Sequence, residues 1–109
     1  MIPKDVYRAF VESGTEWSDR HGAAELLVGS LKSLKAQLSL EAKAQEGCGV
    51  AEAENYALAS DTYKDALRGS VEARTEANRA RVRYEATKAL FEAQRTMEAS
   101  NRAAMGAAT

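Results

Sequence analysis

The fold is decided by the second half of the chain, Ala51 to Met105, which reads AEAENYALASDTYKDALRGSVEARTEANRARVRYEATKALFEAQRTMEASNRAAM. This stretch has no proline, and its only glycine is Gly69. It therefore predicts one uninterrupted helix from about residue 51 to about residue 105. Such a helix is far longer than the average of about 11–12 residues in globular proteins, so it needs a partner that packs along it.

A seven-residue repeat runs along this predicted helix. One set of positions comprises Tyr56, Tyr63, Ser70, Ala77, Tyr84, Phe91 and Glu98. A second set, three residues further on in each repeat, comprises Ala59, Ala66, Ala73, Ala80, Thr87 and Gln94. Spacings of three and four residues place both sets on one face, here called the seam, as in coiled coils.

The first half of the chain predicts a second long helix, from about residue 3 to about residue 45. Its seam positions are Phe10, Trp17, Ala24, Leu31 and Leu38, with Leu27 and Leu34 between them. This register runs through Gly14 without a skip, which favours a continuous or gently bent helix. The alternative is a break near residues 13–15, where Ser13 and Glu16 have the spacing of a capping box.

Two glycines in the segment Gly47-Cys48-Gly49 predict a turn at about residues 46–50. A short connection between long helices implies that they run antiparallel. The sequence thus predicts a single all-α domain over residues 1–109, a coiled-coil-like antiparallel hairpin of long helices. In this hairpin, the leucines of the first helix face the start of the second helix, around Tyr56, Ala59, Tyr63 and Ala66.

We also expect the hairpin to associate with copies of itself into a helical bundle, as a dimer or a larger oligomer. The seam is rich in alanine, and Val82, Leu90 and Met97 lie outside it, where they favour further partner helices. The candidate residues for the oligomer seam are Trp17, Leu27, Leu31, Leu34, Leu38, Tyr56, Tyr63, Tyr84 and Phe91.

Basic residues form a second register along the later helix. Arg74, Arg81, Lys88, Arg95 and Arg102 lie seven residues apart and form what is here called the basic ladder. One interpretation is a solvated flank that pairs with nearby carboxylates. The other is a surface for nucleic-acid phosphates or an acidic protein.

The composition limits the cellular setting. The formal net charge of −1 gives no general attraction to nucleic acid or membranes. We expect a cytoplasmic protein that does not contact membranes, because no signal peptide or membrane-spanning segment is apparent. The single cysteine, Cys48, excludes an internal disulfide and fits a reducing compartment. Its own role stays open.

No pattern in the sequence indicates catalysis. His21 is the only histidine, and no partner that would make it a metal ligand or a general base lies near it in the sequence. Carboxylates are numerous but scattered, and there is no glycine-rich phosphate loop. We therefore expect a protein that is not an enzyme and that uses no metal or cofactor.

Several short segments resemble small, uncharacterised helical proteins of bacteriophages and prophages, which are often encoded near recombination or replication genes. The resemblance lies in Leu58-Ala59-Ser60, Tyr63-Lys64 with Leu67, Glu72-Ala73, Phe91-Glu92-Ala93-Gln94-Arg95 and Glu98-Ala99. It covers about half of the chain. It implies a non-enzymatic accessory role in a bacterial host and indicates no particular site residues.

Three functional hypotheses follow. The first is a helical interaction protein that assists DNA recombination or replication by binding an unidentified protein. The second is a nucleic-acid binder that uses the basic ladder. The third is an inhibitor of a host defence or nuclease complex, which would act by covering a surface of that complex.

Overall fold

Three helices make up almost all of the computed structural model, which describes residues 3–108. Helix α1 spans Lys4–Glu46, α2 spans Val50–Ala59 and α3 spans Asp61–Ala108. The described residues contain no strand, and the prediction of an all-α, antiparallel hairpin is confirmed. No helix within residues 3–108 is both long enough and apolar enough to cross a membrane.

Helix α1 begins directly after Pro3 and continues without a break through Gly14 and Gly22. The carbonyl of Pro3 accepts the N–H groups of Val6 and Tyr7, at 3.1 and 3.2 Å. Proline suits this place because the first N–H groups of a helix have no partner within the helix. There is no break at Gly14. The structure therefore has the continuous helix that the seven-residue register favours.

The turn between α1 and α2 occupies residues 47–49 and depends on Gly47. This glycine has a φ of 64°, in the left-handed region where other residues are strained. Its N–H donates to the carbonyl of Lys43 at 3.0 Å and closes the end of α1. Gly49 opens α2, where its carbonyl accepts the N–H of Ala53 at 2.9 Å.

The predicted uninterrupted helix over residues 51–105 is wrong, because the chain leaves the helical conformation at Ser60. Ser60 has extended geometry, with a ψ of 145°. Its Oγ donates to the carbonyl of Ala57 at 2.7 Å and accepts the N–H of Tyr63 at 3.2 Å. The same hydroxyl thus closes α2 and caps the start of α3, which is typical of serine at an N-cap.

The packed residues form two compact units. One, here the terminal unit, contains α1 up to Asp19 and α3 from Ala77 onward. The other, here the turn unit, contains Arg20–Glu76.

Among the described residues of both units, the buried side chains are all small. Ala77 and Ala80 are buried in the terminal unit. The turn unit buries Ala24, Ala42, Ala53, Ala57 and Ser70. No large side chain among the described residues is fully buried. Small residues at the seam let the backbones of paired helices approach closely, but they leave little room for larger groups.

Replacement of Ser60 by alanine tests whether the serine cap fixes the break. We expect Ser60→Ala to lower the free energy of unfolding by about 1 kcal/mol, because the N–H of Tyr63 loses its acceptor. Urea unfolding followed by circular dichroism measures this change. Ser30→Ala is the control, since the hydroxyl of Ser30 bonds only to the carbonyl of Leu27. Equal stability of the Ser60→Ala variant and the wild type would contradict this account of the break.

Candidate interaction surfaces

Aromatic side chains fill the seam of the terminal unit. The ring centroids of Phe10 and Phe91 are 4.8 Å apart, those of Phe10 and Tyr84 are 5.6 Å apart, and those of Trp17 and Tyr84 are 5.2 Å apart. Tyr7 packs against Phe91 at 6.1 Å. Three of the candidate oligomer-seam residues, Trp17, Tyr84 and Phe91, therefore pack within the hairpin, where each is half-buried.

Polar contacts set the register of α1 against α3 in the same unit. The Ser13 and Thr87 hydroxyls are 2.6 Å apart. The guanidinium of Arg83 donates to the Glu16 carboxylate at 2.7 Å. Both charged side chains are more than a third exposed, so this ion pair contributes little to stability. Its geometric effect is to keep these two positions opposite each other.

The turn unit follows the predicted seam only in part. On α1, Leu31, Leu34 and Leu38 are half-buried, as expected of seam residues. The expected contact of Leu27 with the second helix is wrong, because its side chain is 42% exposed and the neighbouring Val28 is half-buried instead.

The positions of α2 that were predicted to face the first helix are also wrong. Tyr56 is 47% exposed and Ala59 is exposed, whereas Ala53 and Ala57 are almost completely buried. The break at Ser60 changes the phase of the helix, so the seven-residue pattern does not extend across it. Beyond the break the predicted positions hold, beginning with the half-buried Tyr63.

All five side chains of the basic ladder are exposed. Arg74 belongs to the turn unit, and the other four lie on α3 in the terminal unit. Two of these four have neighbours that compete for their charge. Arg81 lies 4.0 Å from Glu85, and Arg95 lies 6.0 Å from the centre of the Phe91 ring, at the limit of a cation–π contact. The structure thus brings part of the ladder together as an exposed, partly neutralised flank.

An exposed apolar stripe follows α3 in the terminal unit. It consists of Val82, Ala86, Leu90, Ala93 and Met97, and is here called the outer stripe. Spacings of four, four, three and four residues place these side chains on one face of the helix. Val82, Leu90 and Met97 are 62%, 49% and 56% exposed. The sequence indicated these three large residues as lying outside the seam, and the structure shows that α1 leaves them uncovered.

A groove of about 420 Å³ lies between α1 and the start of α2 in the turn unit. Its α1 wall is formed by Lys32, Lys35, Ala36, Ser39, Leu40 and Lys43. Its α2 wall is formed by Val50, Ala53 and Glu54. The sequence analysis missed this site, because the wall from α2 depends on the phase change at Ser60. The available signal was the spacing of the lysines along one face of α1.

The structure also places the two remaining candidate residues, His21 and Cys48. His21 is exposed, and Cys48 is half-buried with its Sγ 3.9 Å from the carbonyl oxygen of Ala42. Among residues 3–108, no group of three or more histidine, cysteine, aspartate or glutamate side chains lies close enough to hold a metal ion.

The fold and these surfaces define a coiled-coil-like helical hairpin with exposed apolar and basic faces. Comparisons with protein-family models, with curated proteins and with solved structures find no match for this chain.

Two glycines of α1 provide a matched test of the close contact in the terminal unit. A Cβ at Gly14 would lie 3.1 and 3.3 Å from ring atoms of Tyr84, whereas a Cβ at Gly22 would meet nothing within 4 Å. We expect Gly22→Ala to raise the free energy of unfolding by about 0.5–1 kcal/mol through helix propensity. Gly14→Ala should gain less or lose stability, because the ring must move. Equal gains in thermal or urea unfolding would contradict the tight contact.

Proposed function

We propose that this chain is a non-enzymatic interaction protein that pairs with a second copy of itself and presents its remaining surface to another protein. The outer stripe carries this proposal. Val82, Leu90 and Met97 are large apolar side chains that α1 leaves about half exposed or more. Exposed apolar side chains that line up along a helix are typical of surfaces that bind another helix.

The pattern of the outer stripe favours a second copy as the occupant. Its residues alternate large and small, from Val82 through Ala86, Leu90 and Ala93 to Met97. This alternation reads the same in both directions. In an antiparallel pair centred on Leu90, Val82 of one copy meets Met97 of the other, and Ala86 meets Ala93. A two-fold interface needs such a self-complementary surface.

The resemblance to phage and prophage proteins supports an accessory role in DNA recombination or replication, in the cytoplasm of a bacterial host. This part of the proposal depends on the segments around Leu58 and Phe91 described above. Inhibition of a host complex would use the same kind of protein contact. A stable one-to-one complex with a host protein would support inhibition over an accessory role.

Light scattering coupled to size exclusion tests the self-pairing. The stripe has only three large apolar side chains, so we expect a weak dimer. The wild-type chain should therefore reach a dimer mass only at concentrations in the range of about 1–100 µM. The variant Leu90→Glu with Met97→Glu should be monomeric, since the pair would place charges in an apolar contact.

Asn78→Glu with Thr96→Glu is the matched control for this dimer test. Both residues are exposed on α3 in the terminal unit and lie outside the outer stripe. The control also adds two negative charges, so it should keep the dimer mass. A monomeric wild type, or a dimer that survives the Leu90→Glu and Met97→Glu changes, would argue against the stripe as the contact.

Nucleic-acid binding is a second candidate function, and the exposure of the basic ladder favours it. Arg81, Lys88, Arg95 and Arg102 lie on one flank of α3 in the terminal unit. Their spacing of seven residues repeats about every 10 Å along a helix. Phosphate contacts of this kind release counterions and depend strongly on salt.

A charge reversal in the ladder separates the two candidate functions. If the ladder binds DNA, Arg81→Glu with Lys88→Glu should weaken binding of a short labelled duplex by a factor of about 10 or more, and added salt should act in the same direction. Fluorescence anisotropy measures both effects. The control Lys4→Glu with Lys64→Glu makes the same change in net charge at two exposed sites outside the ladder. Equal affinity in the two double variants would exclude the ladder as the DNA surface.

A further inference from the structure

The groove of the turn unit combines positive charge with apolar side chains. Lys32, Lys35 and Lys43 lie along one face of α1, and the first and last are separated by about 16 Å of helix. None of the three lies within ion-pair distance of a carboxylate among the described residues. Lysines elsewhere on a surface are often unpaired, but here three of them border the same groove.

The apolar part of the groove is open to solvent. Leu40 is 68% exposed and Val50 is 62% exposed, one on each wall. Ala36 and Ala53 also line the groove, and their small side chains leave room for another backbone to approach. The enclosed hydroxyl of Ser39 on the α1 wall has no hydrogen-bond partner within the described chain.

The first turn of α2 lies beside the groove and carries an acidic side chain, Glu52. This carboxylate offsets the partial positive charge at the N-terminal end of the helix, so the lysines of α1 are the positive groups of the site. Glu54 is the one carboxylate that lines the groove, against three lysines.

We propose that this groove binds an amphipathic helix of a partner protein that carries glutamate or aspartate beside leucine-like side chains. Charge complementarity to the three lysines selects the acidic residues, and Leu40 and Val50 provide the apolar contact. The separation of the lysines matches about three turns of helix, whereas a free anion would engage only one end of the row. This site is separate from the outer stripe, so a chain that fails to dimerise can still bind at the groove.

A synthetic peptide tests the site directly on the full-length chain. The probe is a dye-labelled, helix-forming peptide of about three to four turns, with leucines three and four residues apart and glutamates on both flanks. We expect saturable binding by fluorescence anisotropy, weakened by added salt. A scrambled peptide of the same composition should bind at least about tenfold more weakly, because it has no continuous apolar face.

Two pairs of matched variants locate the binding. Lys32→Glu with Lys43→Glu should weaken the peptide by about tenfold or more, whereas Lys4→Glu with Lys64→Glu should not. Leu40→Ser should also weaken it, whereas Leu26→Ser should not, because Leu26 is 74% exposed on the same helix and does not line the groove. Circular dichroism of each variant must match that of the wild type.

Three results would overturn the proposal. One is the absence of saturable binding of the amphipathic peptide, and another is equal binding by the groove and control variants. The third is that the peptide does not bind, whereas single-stranded DNA or anionic phospholipid vesicles do, and that the variant Lys32→Glu with Lys43→Glu loses this binding. The groove would then be a site for phosphate groups. Dimerisation through the outer stripe is measured separately by light scattering, so either proposal can fail while the other holds.

Discussion

The small side chains at the buried positions limit the hydrophobic free energy that each unit gains from those positions on folding. Ala53 and Ala57 in the turn unit, and Ala77 and Ala80 in the terminal unit, are almost completely buried. Burial of a methyl or methylene group contributes only about 0.8 kcal/mol, whereas a fully buried leucine or methionine contributes about 1.5–3 kcal/mol. Several larger apolar side chains, such as Leu40, Val82 and Met97, instead stay exposed, where their hydrophobic free energy is available for binding.

The terminal unit combines its small buried residues with large aromatic rings in the seam. Its seam pairs large rings with a residue that has no side chain, since Tyr84 lies directly against Gly14. Phe10 and Phe91 then stack at the next level of the seam. This arrangement packs the aromatic rings of the seam against one another within the hairpin. The outer stripe, which has no ring, is an apolar surface that stays exposed.

The sequence was sufficient to predict the helical class, the antiparallel turn and the seam of α3. From Tyr63 to Phe91, every predicted seam position is buried or half-buried. The prediction failed where a local hydrogen bond overrides the repeat. Ser60 offers its hydroxyl to the chain on both sides, and no periodicity of apolar residues reveals such a cap.

Because the break at Ser60 was not predicted, the residues exposed and buried on α2 were also predicted incorrectly. The shifted phase exposes Tyr56 and buries Ala53 and Ala57. It also places Val50 and Ala53 opposite Lys35 and Lys43 across the groove. The residues that line a groove between two helices depend on how each helix is rotated about its own axis. The seven-residue repeat predicts that rotation only where the repeat is unbroken. The basic ladder and the outer stripe were easier to anticipate, because each lies on one helix and follows from spacing alone.

The rotation of α3 also determines how its two exposed surfaces can be used together. At about 100° per residue, the outer stripe and the basic ladder of the terminal unit lie on nearly opposite sides of the helix. Leu90 and Lys88, for example, differ by two residues and therefore point about 200° apart. A pair of copies joined through Leu90 would thus leave Lys88 of each copy facing outward. Self-pairing through the stripe and phosphate binding through the ladder would therefore use different faces of α3, and a dimer would present two ladders where a monomer presents one.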